Sequence, residues 1–297
     1  MHEPVLLKET LDHLSPKKGE SYLDATAGFG GHASAILKVT QSYKDSVLVD
    51  RDQIAVEELQ IKFTQDGLEI FQNDFFTAAN ELALEGKHFD LIFADLGVSS
   101  QHLNIASRGF SFSNSGPLDM RMDQRQELTA EIIVNEWNER DLAQIIRKYG
   151  EEPHSWKIAR SIVTNRPIKT TEELASIITR TTGKWQAKHP ATRTFQAIRI
   201  AVNNELGLLE STLPIWLDLL KPGGRIGIIS FHSLEDRIVK QFFAEHSGNT
   251  YDAVLRLITK NPVVAGNQEL VNNPRSRSAK LRVAAKIKTT ERASDAH

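Results

Sequence analysis

Short apolar runs and amphipathic stretches alternate along the first third of the chain. Four of the apolar runs have the length of a buried strand, and their sequences are ESYLDAT, SVLVD, LEIFQND and FDLIFADLG. Between them, apolar positions recur at helical spacing in residues 32–39, 54–63 and 77–85. Strands that alternate with helices predict a parallel sheet with right-handed crossovers. The fold class expected for residues 1–112 is therefore α/β.

The pattern changes near residue 113, where helical spacing continues without intervening strands. It occurs in residues 130–137, 140–149, 155–165, 172–182 and 192–220. Pro214 is expected to kink or break the last helix, because proline lacks the amide hydrogen. Beyond it we predict a turn at KPGG, a strand at RIGIISF, a helix over 234–246, and strands at YDAVLRLIT and KLRVAAKIK. We therefore expect one α/β domain, residues 1–112 and 207–297, into which residues 113–206 are inserted as a helical domain.

A glycine-rich turn, DATAGFGGHA, follows the first predicted strand. Its glycines Gly28, Gly30 and Gly31 let the backbone turn sharply and approach a ligand closely. The helix that begins near His32 offers amide groups that have no partner within the helix. Asp50 lies about 20 residues further on, where an acid can accept hydrogen bonds from ribose hydroxyls. A ligand that contains adenosine is therefore expected.

Two ligands are compatible with this turn. The spacing Gly28-x-Gly30-x-x-Ala33 satisfies the dinucleotide fingerprint. Asp24, however, ends the strand just before the turn, and a carboxylate there would repel a pyrophosphate but suits the methionyl end of S-adenosylmethionine. The KPGG turn and the closing pair of strands are also typical of methyltransferases. These features favour S-adenosylmethionine, and an NAD-binding oxidoreductase is the weaker hypothesis.

Later strand ends carry further candidates, because open parallel sheets bind ligands beyond the carboxyl ends of their strands. Asp95 ends the apolar strand FDLIFAD, and Phe76 could cover an adenine ring or belong to the core. The polar loop SRGFSFSNSGPLDMRMD contains Asp119, and ordered loops of this length tend to be functional. Its interleaved methionines, Met120 and Met122, do not resemble a flexible linker.

The final third of the chain contains two more polar motifs. In SFHSLEDR, Ser233 and Asp236 resemble a helix cap, and a single histidine such as His232 is more often structural than catalytic. In NPRSRSAKLR, Arg275 and Arg277 have a spacing that suits phosphate contacts.

Composition limits the chemistry. The 297 residues include no cysteine, which excludes disulfides, thiolate zinc sites, iron–sulfur clusters and a cysteine nucleophile. No apolar run approaches the ~20 residues of a membrane span, and the N-terminus is too acidic for a signal peptide, so we expect a cytoplasmic protein. The formal net charge is −2, but residues 157–199 and the tail from Arg275 are rich in lysine and arginine. These basic surfaces could meet phosphates.

Longer motifs cover almost the whole chain, in the order HEPVLLKE, DATAGFGGHA, DLGVSS, RGFSF, GPLDMRMD, ATRTFQAIRIAVNNEL, GGRIGIISFHSLEDR and NPRSRSAKLR. Together they closely resemble the bacterial ribosomal RNA small subunit methyltransferase H family, also called MraW. The resemblance implies methyl transfer from S-adenosylmethionine to the exocyclic N4 of a cytosine in the decoding region of 16S rRNA. It also implies a class I methyltransferase domain with an inserted helical domain.

The resemblance also implies site residues. With Asp24 added from the strand pattern, the expected cofactor contacts are Asp24, Gly30, Gly31, His32, Asp50, Phe76 and Asp95. One more contact is expected just after DLGVSS, where either Gln101 or His102 occupies the place.

A cytosine amine is a poor nucleophile, so catalysis needs a positioned base and an acceptor for the amine hydrogens. Asp95 and, on the polar loop, Asp119 are the candidate acceptors, and no metal is required. Arg275, Arg277 and Lys280 are the expected RNA contacts. The expected partner is 16S rRNA or the small ribosomal subunit, and a homodimer stays open. The alternatives are methylation of another RNA base or a protein, and an RNA-binding assembly factor without turnover.

Overall fold

The computed structural model describes residues 4–99, 103–183, 189–248 and 253–287. The chain forms two compact units, of which one comprises Met1–Gly97 and Leu206–His297 and the other is Val98–Glu205. The first boundary lies earlier than the predicted 112/113, because Val98 and Phe110 already pack in the core of the second unit. The second boundary is within one residue of the predicted position.

The strands of the first unit form one seven-stranded sheet among the described residues. They are β1 (Tyr22–Asp24), β2 (Val47–Asp50), β3 (Glu69–Gln72), β4 (Phe89–Asp95), β5 (Leu220–Ser230), β6 (Leu255–Leu257) and β7 (Lys280–Lys286). Their order across the sheet is β3-β2-β1-β4-β5-β7-β6. Strands β1 to β5 are parallel, and β7 is antiparallel to both β5 and β6. The predicted α/β class, and the class I methyltransferase fold that the resemblance implied, are confirmed.

Capping side chains mark the start of several of the helices. In chain order they are α1 (Leu7–Leu14), α2 (Gly31–Thr40), α3 (Gln53–Lys62), α4 (Phe75–Leu84), α5 (Ala130–Glu136), α6 (Glu139–Gly150), α7 (Ser155–Thr164), α8 (Thr171–Thr182), α9 (Thr192–Asn203), α10 (Glu205–Leu219), α11 (Ser233–Glu245) and α12 (Asn267–Asn272). Asp52 and Asp74 cap α3 and α4 through their carboxylates. Thr170 and Glu173 form a capping box at the start of α8. Within the described ranges, no helix combines the length and apolar character needed to cross a bilayer.

Alternate residues of the central strands supply two separate apolar cores, one on each face of the sheet. Ile92 and Ala94 of β4 pack with Trp216 of α10 in one core. Their neighbours Leu91 and Phe93 pack with helices α1 and α2 in the other. Burial on both faces explains why the strand FDLIFAD is a continuous apolar run rather than an alternating one.

Two details of the chain differ from the prediction. The long helix predicted over 192–220 breaks at Asn204, which has a left-handed φ of 47°, while Pro214 lies inside α10. Asparagine tolerates that conformation better than most residues, so the sequence contained a signal for this break. The predicted KPGG turn lies within β5, where the register slips between the pair Phe89–Leu220 and the pair Leu91–Arg225.

Buried polar side chains hold the long polar loop of the second unit. Arg108 is 4% exposed and donates to the carbonyl oxygens of Arg121 and Met122, both at 3.0 Å. Asn203 donates to the carbonyl of Met120 and accepts from the amide of Met122, both at 2.8 Å. Both methionines are buried in the helical core. The loop is therefore an ordered part of this unit, as the interleaved methionines predicted.

Candidate functional site

Three aspartates end neighbouring parallel strands of the first unit. Asp24 is the last residue of β1, Asp50 of β2 and Asp95 of β4. Because β1 pairs with both β2 and β4 in parallel, all three lie at the same edge of the sheet. This is the edge at which open α/β sheets bind ligands, so the predicted residues converge.

The glycine-rich turn is held from two sides. Asp50 accepts hydrogen bonds from the amides of Gly28 and Asp52, both at 2.8 Å. Lys62 of α3 donates from its ammonium group to the carbonyl oxygens of Phe29, at 3.0 Å, and Gly30, at 2.9 Å. The contacts of Lys62 with this turn could not be predicted from the sequence, because a lysine at the end of a helix is usually solvent-exposed. The turn thus reaches the N-terminus of α2 in a defined conformation.

The turn is tightly packed at Gly30. Its φ is +69°, and a methyl group at its Cα would lie 2.6 Å from a ring carbon of Phe63 and 2.9 Å from Leu59. Gly30→Ala is therefore expected to lose about 2–4 kcal/mol of stability from backbone strain and overpacking together. Gly28→Ala is the matched control, because Gly28 has a φ of +52° with nothing within 4 Å of the new methyl.

Urea denaturation of both variants checks this prediction. Gly28→Ala should lose only the ~1–2 kcal/mol of a left-handed alanine. Equal losses for the two variants would contradict the close packing of Gly30.

Asp24 is buried without a cationic partner among the described residues. It is 1% exposed, accepts the Tyr22 hydroxyl at 2.7 Å, and accepts the amide of Thr26 at 3.3 Å. Burial raises the pKa of Asp24 to about 7, although these two hydrogen bonds oppose the shift. The side chain is therefore close to its titration point at neutral pH.

Asp95 has one carboxyl oxygen that is fully buried. Its backbone amide donates to the hydroxyl of Thr26 at 2.6 Å, which fixes the end of β4 against β1. Its Oδ1 atom has no hydrogen-bond partner within the described part of the chain, although the side chain as a whole is 26% exposed. Burial, and then the charges of Asp24 and Glu235, hold the pKa of Asp95 well above its usual range.

His32 is a buried, neutral side chain next to Asp95. Its Nε2 atom is 2.9 Å from the carbonyl oxygen of Val5, and its Nδ1 atom is 3.7 Å from Oδ2 of Asp95. Burial lowers the pKa of His32 to about 4, and the ring packs on Phe93 with a centroid separation of 4.6 Å. The role of Val5, in the motif HEPVLLKE, was not visible from the sequence, because it acts through its backbone.

Of the remaining predicted cofactor residues, the structure describes Phe76 but not Gln101 or His102. Phe76 lies in the first turn of α4, half-buried against the sheet core, at the edge where β3 ends. Gln101 and His102 lie outside the described residues, so the choice between them stays a prediction.

Asp119 is held in an ion pair inside the second unit. Its carboxylate accepts two hydrogen bonds from the guanidinium of Arg121, at 2.9 and 3.0 Å, and one from its amide, at 2.9 Å. These contacts keep the pKa of Asp119 below its usual range despite partial burial. A carboxylate stabilised in its charged form is a weak proton acceptor at neutral pH.

The SFHSLEDR motif caps α11 differently from the prediction. His232, rather than Ser233, is the N-cap residue, and Glu235, rather than Asp236, completes the capping box. Glu235 is 2% exposed and accepts the amides of Phe231 and His232. The buried glutamate carboxylate therefore lies at the end of β5, where its charge acts on Asp95.

Asp236 instead forms ion pairs with two basic side chains of β7. Its carboxylate accepts from Lys280 at 3.0 Å and from Arg282 at 2.7 Å. Arg275 and Arg277 are exposed on a short 3-10 helix, Pro274–Ser278. Of the three predicted RNA contacts, Lys280 is thus partly engaged within the protein.

The site at the strand ends suits S-adenosylmethionine. Within the described residues, neither Asp24 nor Asp95 forms an ion pair with a lysine or an arginine. A cationic ligand would stabilise the charged forms of the buried Asp24 and of Asp95, which is 26% exposed and whose Oδ1 has no hydrogen-bond partner among the described residues. S-adenosylmethionine carries an ammonium and a sulfonium group, and its adenosine requires a hydroxyl acceptor such as Asp50.

Comparison with known proteins agrees with this geometry. The model of the MraW methylase family matches residues 1–287. A relative from Synechocystis, named ribosomal RNA small subunit methyltransferase H, is 48% identical and the match covers 96% of this chain and 93% of the relative. Relatives of the same name from Halothermothrix orenii and Acaryochloris marina are 43% and 46% identical, with 96% and 98% of this chain and 98% and 96% of each relative covered. The chain therefore belongs to the MraW methylase family.

Proposed function

We propose that this protein transfers a methyl group from S-adenosylmethionine to the exocyclic N4 amine of a cytosine in 16S rRNA, in the small ribosomal subunit. Membership of a methylase family and the shared name of the relatives support the reaction and the RNA substrate. The observation that carries the proposal is the pair of carboxyl groups, Asp24 and Asp95, which have raised pKa values and lie at adjacent strand ends. The cytoplasm, where ribosomal subunits form, is the proposed location.

Bound S-adenosylmethionine supplies an electrophilic methyl group on a positively charged sulfur. The amides at the start of α2, at Gly31 and His32, are proposed to donate hydrogen bonds to its polar groups. Asp50 is proposed to accept the ribose hydroxyls, and Phe76 to contact the adenine. Asp24 is proposed to hold the methionyl ammonium. The remaining proposed cofactor contacts are Gly30, Asp95 and either Gln101 or His102.

Asp95 is the proposed acceptor for the amine hydrogen. When the bond from N4 to the methyl carbon forms, N4 becomes cationic and must release one proton. A carboxylate with a raised pKa is a stronger base than an ordinary one, because burial favours its protonated form. Asp119 has the opposite shift, so we prefer Asp95 for this role.

Arg275 and Arg277 are proposed to contact RNA phosphates. Replacing both by glutamate is expected to weaken RNA binding and to reduce the slope of log K against log salt by about one per lost phosphate contact. The measurement is RNA affinity at several salt concentrations. Lys17→Glu with Lys18→Glu is the matched control, because these exposed lysines precede β1, at the opposite edge of the sheet.

The control variant changes the net charge by the same amount. If it alters the salt slope as much as the arginine variant, the effect is one of general charge and the proposed contact surface is wrong.

The reaction itself is tested with labelled S-adenosylmethionine and small ribosomal subunits that lack the modification, followed by nucleoside analysis. N4-methylcytosine is the expected product. A different methylated base would contradict the proposed acceptor atom. No transfer, by a protein that still binds S-adenosylhomocysteine and RNA, would support a role in assembly without turnover.

A further inference from the structure

The tautomer of His32 is dictated by the backbone. The Nε2 atom lies 2.9 Å from the carbonyl oxygen of Val5, and a carbonyl oxygen can only accept a hydrogen bond. Nε2 therefore carries the hydrogen. A neutral imidazole has one ring hydrogen, so Nδ1 is left with a lone pair and no hydrogen.

This lone pair faces the proposed proton acceptor. Nδ1 is 3.7 Å from Oδ2 of Asp95, and the imidazole is confined by its packing on Phe93. A lone pair opposite an ionised carboxylate is repulsive, whereas a protonated carboxyl group can donate its hydrogen to Nδ1. The contact therefore distinguishes between the two protonation states of Asp95.

We propose that His32 is a positioning residue which, through its unprotonated Nδ1, stabilises the proton that Asp95 takes from the substrate amine. The inference rests on the proposed function, because it assumes that Asp95 is the acceptor. In this arrangement the backbone of the HEPVLLKE motif sets the tautomer of His32, and His32 strengthens Asp95 as a base.

The proton balance of the step is simple. As the new carbon–nitrogen bond forms, the methyl–sulfur bond breaks and its electron pair stays on sulfur. The N–H bond of the cationic amine then breaks, its electron pair returns to N4, and the proton passes to the Asp95 carboxylate. The new carboxyl O–H faces the lone pair on Nδ1 of His32, and the 3.7 Å separation must shorten for a hydrogen bond to form. His32 itself gains no proton.

Other ionisable groups also act on Asp95, and the test must separate them from His32. Asp24 of β1 and Glu235 of α11 both raise the pKa of Asp95 through their charge, and the charge of Asp95 acts in turn on Tyr22. None of these groups is altered by a substitution at His32. A change in the titration of Asp95 in such a variant therefore reports the imidazole contact.

The first experiment uses the unmodified protein without ligand. Nitrogen-15 NMR of the histidine rings at neutral pH is expected to show His32 with a protonated Nε2 and an unprotonated Nδ1. A ring protonated at Nδ1, in either the other neutral tautomer or the imidazolium, would overturn the proposal regardless of any variant.

The second experiment compares two substitutions. Gln at position 32 can place its amide group near the site of Nε2 and keep the link to Val5, but it leaves nothing in place of Nδ1. We expect His32→Gln to lower the pKa of Asp95 by about one unit, measured by carbon-13 NMR of the ligand-free protein. His32→Asn, which can place its amide oxygen near the site of Nδ1, is expected to retain more of the shift.

An unchanged Asp95 titration in folded His32→Gln would overturn the proposal. A purely structural role for His32 predicts the reverse order, with His32→Asn the more damaging variant because it loses the contact with Val5. In the methylation assay, His32→Gln should lower kcat at least tenfold with KM for the RNA unchanged. Because the NMR measurements need no turnover, they remain informative even if the RNA substrate has been misassigned.

Discussion

Asp95→Asn is expected to lower kcat for methyl transfer by about a hundredfold to ten-thousandfold, the range typical for loss of a general base. Asparagine keeps the shape of the side chain and can still accept a hydrogen bond through Oδ1, but it takes no proton at neutral pH. The affinity for S-adenosylhomocysteine should fall by a smaller factor than kcat. The measurements are single-turnover methylation and calorimetric binding of S-adenosylhomocysteine.

Asp119→Asn is the matched comparison, because both aspartates are candidates for the same role. Asp119 is already paired with Arg121, so this substitution should reduce stability by about 1 kcal/mol and leave turnover nearly intact. A larger loss of kcat for Asp119→Asn would transfer the proposed role to that residue. Weaker cofactor binding by Asp95→Asn, at nearly normal kcat, would instead assign Asp95 to the cofactor.

Asp24→Asn is expected to make the ligand-free protein more stable at pH 8 while it weakens binding of S-adenosylmethionine. The pKa of Asp24 is raised from 3.8 to about 7 in the folded state. Its contribution to stability is therefore fully present below about pH 4 and is lost as the pH rises through 7. The loss at pH 8 amounts to at most about 4 kcal/mol, at 1.36 kcal/mol for each unit.

His32 contributes the opposite pH dependence. Its pKa is lowered from 6.5 to about 4, so the protein loses stability as the pH falls through this range. The contribution of His32 to the free energy of unfolding is present in both wild type and Asp24→Asn. It therefore largely cancels when their stabilities are compared at one pH. Urea denaturation at pH 4.5 and pH 8 should therefore show a gain for Asp24→Asn that grows with pH.

Asp66→Asn is the control for removal of a carboxylate, because Asp66 is exposed in the loop before β3. It should show no such gain. If Asp24→Asn is no more stable at pH 8 than at pH 4.5, relative to wild type, then Asp24 is not strained by burial. If the gain is observed, Asp24 destabilises the ligand-free protein at neutral pH. We attribute the presence of this carboxylate to the cationic ligand that it is proposed to hold.

Several elements of the α/β unit were predictable because their strands are apolar runs between polar turns. FDLIFAD, for example, is buried on both faces of the sheet, as is typical of a central parallel strand. The α8 helix was equally predictable from Thr170 and Glu173, because a capping box satisfies free amides locally. The first domain boundary was missed, because Val98 and Phe110 join the helical core through contacts that no local pattern reveals.

The fold class, the family resemblance and the three aspartates at the strand ends follow from the amino-acid sequence, since strand ends and glycine turns are local signals. The protonation of the acidic side chains depends instead on contacts that form on folding. Burial and the charges of Asp24 and Glu235 raise the pKa of Asp95, whereas pairing with Arg121 lowers the pKa of Asp119. The same holds for His32, whose tautomer depends on the carbonyl of Val5, 27 residues earlier. Protonation depends on desolvation and on charges that folding brings together, and a linear pattern records neither.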